Sequence, residues 1–380
     1  MSTGTQDMTP EGEGEQQKDT RLSFVEDFFF EYYRYFDENM NNVNFHGYDR
    51  ELFQAERIEF KTAGLSAIGE HTQSRSLFSS RVRIPAVANQ DEMLTFTSTF
   101  GLPYDCTDYI KAVDIEGKIF WEFDVMFKEQ AGVDPEDERV GYDVLRDLKI
   151  QTLLPVFPSE SVIHGGLPKN IKNAMCVITF IEKSLTPLTA LPLAKLFSET
   201  EETKGKSIVS DVFDILATLH ENSVTHGDTN LKNWGYHPDK GIFLIDPESL
   251  IDFKNIDSYI RKARSTEKGK FVGGFNQYLA MLDDPQSNLP PDQRIRLILE
   301  EAVYDDLYRV LSTFKDKDEN VILNPHQCDL LKTEAVNYIS RVRKAGKMSD
   351  ELLERVLEEF RMFFDVEALR SELEIFESER

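Results

Sequence analysis

Cysteine is scarce: the three present, Cys106, Cys176 and Cys328, lie far apart in the chain. Disulfide frameworks and zinc motifs both need closely spaced cysteines, so neither is expected, and free thiols are. Long apolar runs are missing as well. None approaches the length that crosses a bilayer, and residues 1–20 are polar and acidic rather than signal-like, so no membrane role and a cytoplasmic location are expected. Positive charge is in deficit too, with 43 Lys and Arg against 68 Asp and Glu and a net charge of −25. Such a surface is repelled by a phosphate backbone, which excludes nucleic acid as a partner. A cationic small molecule would be drawn to it, although solubility explains the charge as readily.

A chain of 380 residues can bury a two-part core and still carry additional segments. Residues 1–20 are rich in Glu, Gln, Gly and Thr with almost nothing apolar, and disorder is expected there. Next, Ser23 and Glu26 have capping-box spacing and open a helix carrying Phe24, Phe28, Phe29, Phe30, Tyr32, Tyr33, Tyr35 and Phe36. So many aromatic rings do not stay in water; the helix is expected to dock on its neighbouring domain, with a partner protein as the alternative. At the other end, the stretch from Ser349 reads as acidic amphipathic helices.

The chemistry concentrates between His226 and Ser249, HGDTNLKNWGYHPDKGIFLIDPES. A turn around Pro238 to Gly241 leads into the apolar strand GIFLI, so Asp246 sits where a buried strand opens into a loop. Asp228, Asn233 and Asp246 thus bring three oxygen-bearing side chains to neighbouring loops. Phosphoryl transfer needs such a set: one carboxylate to orient an acceptor hydroxyl, and an amide and a second carboxylate to hold Mg²⁺ on nucleotide phosphates. Upstream, residues 206–221 place apolar side chains at 208, 209, 212, 213, 216 and 219, the stripe of a buried helix leading into the loop. Residues 118–128, KIFWEFDVMFK, alternate as a strand does, with Met126 and Lys128 on the face opposite Phe123 and Phe127. Residues 135–150 then read as a helix opened by Pro135 and early carboxylates.

HGD at 226–228 and IDPE at 245–248 resemble the catalytic and metal loops of the protein-kinase-like superfamily, and most closely its aminoglycoside phosphotransferase and choline kinase branch. The resemblance covers roughly residues 94–314. Asp228 is then implied as catalytic base, Asn233 and Asp246 as metal ligands, and His226 as a scaffold residue; Glu248 reads as a loop carboxylate or a ligand to a second metal. MFK resembles the nucleotide-contacting strand, so Lys128 is implied as the phosphate-contacting lysine. The helix carboxylate paired with it would be Asp143, with Asp147 one turn on; Glu136 and Glu138 lie early in the helix. MCVITFIEKS at 175–184 resembles the adenine-binding segment, near Ile181 to Lys183. The loop over the phosphates would use Ser98 and Gly101, and a single glycine there departs from the glycine-rich loop of protein kinases. Asp305 or Asp306 would cap the catalytic loop from a helix.

The fold so implied is α+β and bilobal, kinase-like, with a small antiparallel β-sheet lobe and a larger, mainly helical lobe. Its expected boundaries are a disordered acidic tail over 1–20, an N-terminal helical extension over 21–90 packing on the small lobe, the small lobe over 91–183, and the large lobe with acidic C-terminal helices over 184–380. The implied activity is Mg·ATP-dependent transfer of a phosphoryl group to a small-molecule hydroxyl, with ATP and Mg²⁺ as cofactors. A protein serine or threonine acceptor and a pseudokinase interaction module remain alternatives. The sequence sets no oligomeric state.

Overall fold

The structure is a computed structural model that describes residues 58–61, 75–85, 109–130, 135–155, 176–182, 184–198, 206–265, 276–284 and 288–378. The expected tail, the aromatic helix, and the Ser98 and Gly101 loop lie outside them. The chain divides into two compact units, one drawn from Met1–Ala63, Arg75–Glu129 and Leu154–Ile181, the other from Gly64–Ser74, Gln130–Leu153 and Glu182–Arg380. Helix and strand are mixed, the described sheets are small and antiparallel, and the C-terminal part is mostly helical.

The first unit is built on a five-stranded sheet. Its strands are β1 (Ile58–Lys61), β2 (Arg75–Pro85), β3 (Lys111–Ile115), β4 (Lys118–Gln130) and β5 (Cys176–Phe180). β4 has 13 residues, long enough to pair with β3 along its first half and β5 along its second. The β3–β4 hairpin closes through Glu116 and Gly117, both at positive φ, with the Gly117 amide bonded to the Asp114 carboxylate at 2.8 Å. Two left-handed residues are what a tight hairpin of twisted strands needs. β1 and β2 correct the expectation of a helical extension over 21–90. The alternation Arg81, Val82, Arg83, Ile84 has a period of two, which suits a pleated strand and cannot form a helical stripe.

The second unit holds nine described helices. They are α1 (Pro135–Asp147), α2 (Leu193–Leu196), α3 (Ile208–Glu221), α4 (Ile256–Ser265), α5 (Asn276–Leu282), α6 (Pro291–Ser312), α7 (Pro325–Lys344), α8 (Asp350–Phe360) and α9 (Val366–Ser378). All six stripe positions of α3 are buried, and the Ser207 hydroxyl caps its first turn. Arg341 of α7 clamps α3, donating to both carboxylate oxygens of Glu221 at 2.8 and 2.7 Å and to Asp214 at 3.2 Å. α1 belongs to this unit, although the expected boundary put residues 91–183 together. The reason is its packing: the helix lies on the turn Pro247–Ser249, and at Gly141 a Cβ would fall 2.5 Å from the Pro247 carbonyl oxygen.

Two short ladders set the loops facing each other. β7 (Val224–Thr225) precedes the loop with His226 and pairs with β10 (Ile251–Asp252), which follows the loop with Asp246. β8 (Trp234–His237), leaving the first loop, pairs with β9 (Gly241–Leu244), which leads into the second. β6 (Thr186–Pro187) adds to the free side of β8. Both loops are thus held at both ends by the same pair of ladders.

Candidate active site

The loop 226–233 is fastened from beneath by Asp306 of α6, a fully buried carboxylate. Its oxygens accept the His226 amide at 2.7 Å and the Gly227 amide at 2.8 Å, while its own carbonyl accepts the Thr229 hydroxyl at 2.5 Å. A buried carboxylate that receives two backbone donors satisfies both and fixes the chain above it. Gly227 is required twice over. Its φ is +77°, and a Cβ would lie 2.7 Å from the Ser249 carbonyl oxygen. On the inner side, the fully buried Trp234 donates its indole N–H to the Thr229 carbonyl at 2.9 Å.

His226 ties the two loops together. Its Nε2 is 3.1 Å from the Ile245 carbonyl, which only accepts, so Nε2 donates there, and its Nδ1 accepts the Asp228 amide at 3.4 Å. The Ile245 amide bonds to the Asn233 carbonyl at 2.9 Å, so Asp246 leaves β9 directly beside Asn233. Asn233 Nδ2 donates to the Asp228 carbonyl at 2.8 Å and to the Asp228 carboxylate at 3.0 Å. Asp228, Asn233 and Asp246 are in this way gathered into one place by backbone and side-chain bonds. The carboxylate of Asp228 also meets the Asn230 amide, Lys232 Nζ at 3.4 Å and Arg309 Nη1 at 3.4 Å.

Asp246 itself stands in the left-handed region, φ 60° and ψ 54°, ahead of Pro247. Aspartate tolerates that conformation better than most residues, and such positions cluster at functional sites. Around it, carboxylate oxygens of Glu138, Asp246 and Glu248 lie within 4.8 Å of one another. The set is all oxygen, which suits a hard divalent cation. Glu138 is fully buried and accepts the Tyr142 hydroxyl at 3.1 Å. Burial, reinforced by the charges of Glu138, Asp246 and Glu248, pushes the Tyr142 phenol well above its ordinary range, so it remains a donor.

The carboxylate that α1 brings to the Asp246 loop is Glu138, one of the two early glutamates of that helix. Asp143 is partly exposed and pairs with Arg146. Asp147 is exposed. Asp306, rather than Asp305, caps the loop; Asp305 accepts the Tyr278 hydroxyl at 2.9 Å. In the other unit, the Ile181 amide donates to the Asp124 carbonyl at 3.0 Å. Lys128 lies on β4, and its side chain and Lys183 fall outside the described residues, as do Ser98 and Gly101.

Arg309 had no place in the sequence reading, although its spacing of three from Asp306 is a helical turn and could have suggested it. A second residue missed is His220. Its Nε2 is 3.3 Å from Asp306 and its Nδ1 is 2.7 Å from the Tyr338 hydroxyl, all three side chains being buried.

No protein-family model matches the chain, and no curated protein does. Among solved structures, WaaP in complex with acyl carrier protein is similar over 74% of this chain and 99% of that chain, at 10% identity and a TM-score of 0.34. A likeness of that degree carries no argument about activity.

Proposed function

We propose that the chain is a Mg·ATP-dependent phosphotransferase that moves the γ-phosphoryl group to a hydroxyl of a small molecule. The observation that carries the reading is the gathering of Asp228, Asn233 and Asp246 on two loops locked to each other and to Asp306. Asp228 accepts the acceptor's O–H, aims the oxygen at the γ-phosphorus and takes the proton as the bond forms. Amide donors from Asn230 and Asn233 hold that carboxylate in one orientation. The residues also fit the metal: Asn233 Nδ2 is committed to Asp228, which leaves the amide oxygen available as a ligand, and carboxylate oxygens of Asp246, Glu248 and Glu138 lie close together on the neighbouring loop. Mg²⁺ held by Asn233 and Asp246, with Glu248 and Glu138 behind, would neutralise charge on the nucleotide phosphates.

Replacing Asp228 with Asn keeps the size and removes the base. Turnover of Mg·ATP with an acceptor is then expected to fall by about 10² to 10⁴. An unchanged rate would remove the mechanism, and labelled phosphate appearing on polypeptides rather than small molecules would reassign the acceptor.

A further inference from the structure

Arg309 stands one helical turn beyond Asp306, so the helix that grips the back of the catalytic loop also brings a guanidinium to its front. Arg309 Nη1 approaches Asp228 Oδ1 at 3.4 Å, and Lys232 Nζ approaches Oδ2 at 3.4 Å. Arg309 makes a long hydrogen bond to Oδ1 and Lys232 an ion pair with Oδ2, but neither is the sole donor to its oxygen. Oδ1 already accepts the Asn230 amide and Oδ2 the Asn233 amide at 3.0 Å. At 3.4 Å both contacts are long, so each cation holds Asp228 weakly and has further N–H donors to offer. A guanidinium has five N–H groups and an ammonium three. Among the described residues each makes this single polar contact, and both side chains are well exposed, 37% for Arg309 and 52% for Lys232. Asp305 lies within the field of Arg309, but its carboxylate is turned to the Tyr278 hydroxyl.

Two cations flank the one carboxylate of Asp228 where the acceptor hydroxyl must arrive, while the carboxylates of Glu138, Asp246 and Glu248 cluster on the neighbouring loop, where the proposed metal would offset them, so the local charge beside Asp228 is positive in a chain whose net charge is −25. A cationic acceptor is repelled there at contact distance, whatever the distant surface charge does, because exposed charges beyond about 10 Å are screened. We propose that Lys232 and Arg309 form an anion-receiving subsite beside Asp228, and that the acceptor carries a phosphate or carboxylate on a carbon near the hydroxyl it offers. The planar fork of Arg309 suits two oxygens of such a group, and Lys232 supplies a compact charge on its other side. The inference rests on the phosphotransferase reading for the identity of the occupant as acceptor, and it reverses the expectation of a cationic ligand drawn from net charge.

Two measurements on the full chain test it. Inorganic phosphate is titrated calorimetrically at low ionic strength into wild type, Arg309→Gln, Lys232→Gln and Asp228→Asn. Saturable binding is expected, weakened at least tenfold by each loss of a cation and tightened by Asp228→Asn, which removes the competing carboxylate. In parallel, Mg·ATP turnover is measured with glucose, glucosamine, glucose 6-phosphate and gluconate. The two anionic acceptors are expected to exceed glucosamine at least tenfold in kcat/KM, and Arg309→Gln should raise their KM more than it lowers kcat. Phosphate that fails to bind, or that binds equally to both cation variants, overturns the subsite, as does preference for glucosamine. Cation-dependent phosphate binding with no ATP turnover on any acceptor would keep the anion site and sink the phosphotransferase reading instead.

Discussion

Asp306→Asn isolates the bonds that hold the catalytic loop, because it preserves shape while converting one carboxylate oxygen to an NH₂ group. With the nitrogen on the Oδ2 side, both the His226 amide and His220 would face a donor; on the Oδ1 side only the Gly227 amide would. The variant should therefore settle with its nitrogen toward Gly227. One charge-assisted bond of about 1.5–3 kcal/mol is lost and one buried N–H is left unsatisfied, at about 1–3 kcal/mol. The two overlap in part, and a net loss of about 2–5 kcal/mol follows. At about 2–4 °C per kcal/mol for a unit of roughly 150–250 residues, the melting temperature should fall by about 4–20 °C. Turnover, measured well below the new melting point, should fall further than the unfolded fraction explains, because the freed Gly227 amide lies one residue before Asp228. Calorimetry and an ATP-turnover assay give the two readouts. A melting point within a degree or two of wild type, with turnover within twofold, would refute the assignment of Asp306 as the support of the loop.

What the sequence made legible was local. The stripe of α3 is complete within 14 residues, and HGD with Asn five residues on lies inside a single loop, so neither depended on knowing the fold. Contacts across the chain were another matter. Glu138 reaches the Asp246 loop because the face of α1 that carries Gly141 packs on Pro247, and nothing in residues 135–150 announces a proline turn so far downstream as the surface to be met. His220 and Tyr338 are 118 residues apart, and each reads by itself as an ordinary core position. Arg309 follows the same pattern: its helix was visible, but the direction of its side chain follows from Asp306 being drawn under the loop. β2 differs, since the period-two alternation of residues 81–84 is local and lies in the sequence itself.

Four further outcomes follow from the same geometry. Lys128→Ala and Lys128→Arg should both lower turnover while the melting temperature stays put, since a strand lysine adds little packing beyond its stem; normal turnover would pass the role to Lys111 or Lys118. Tyr142→Phe removes the hydroxyl donated to buried Glu138 and should cost about 1–3 kcal/mol in thermal unfolding; no loss would mean that the carboxylate is otherwise satisfied. Burial raises the Asp305 carboxyl above its ordinary value, so the native state holds that proton more tightly than the unfolded chain, and the resulting stability is present in acid and lost as pH rises through the native value. Asp305→Asn, neutral throughout, should be at least as stable as wild type at pH 7 and lose that margin below about pH 4, so a pH series showing the opposite trend would overturn the sign. Gly141→Ala sets two effects against each other. Alanine favours a helix over glycine by about 1 kcal/mol, but its methyl would sit 2.5 Å from the Pro247 carbonyl oxygen and 2.8 Å from the Pro247 Cβ, and neither a backbone oxygen nor a proline ring can rotate away. Overpacking of that kind costs about 1–3 kcal/mol, so the variant should be less stable despite its better helix, and displacement of the turn carrying Asp246 and Glu248 should weaken Mg·ATP binding in calorimetry. A higher melting temperature with unchanged Mg²⁺ dependence would show that α1 does not set the position of the metal loop.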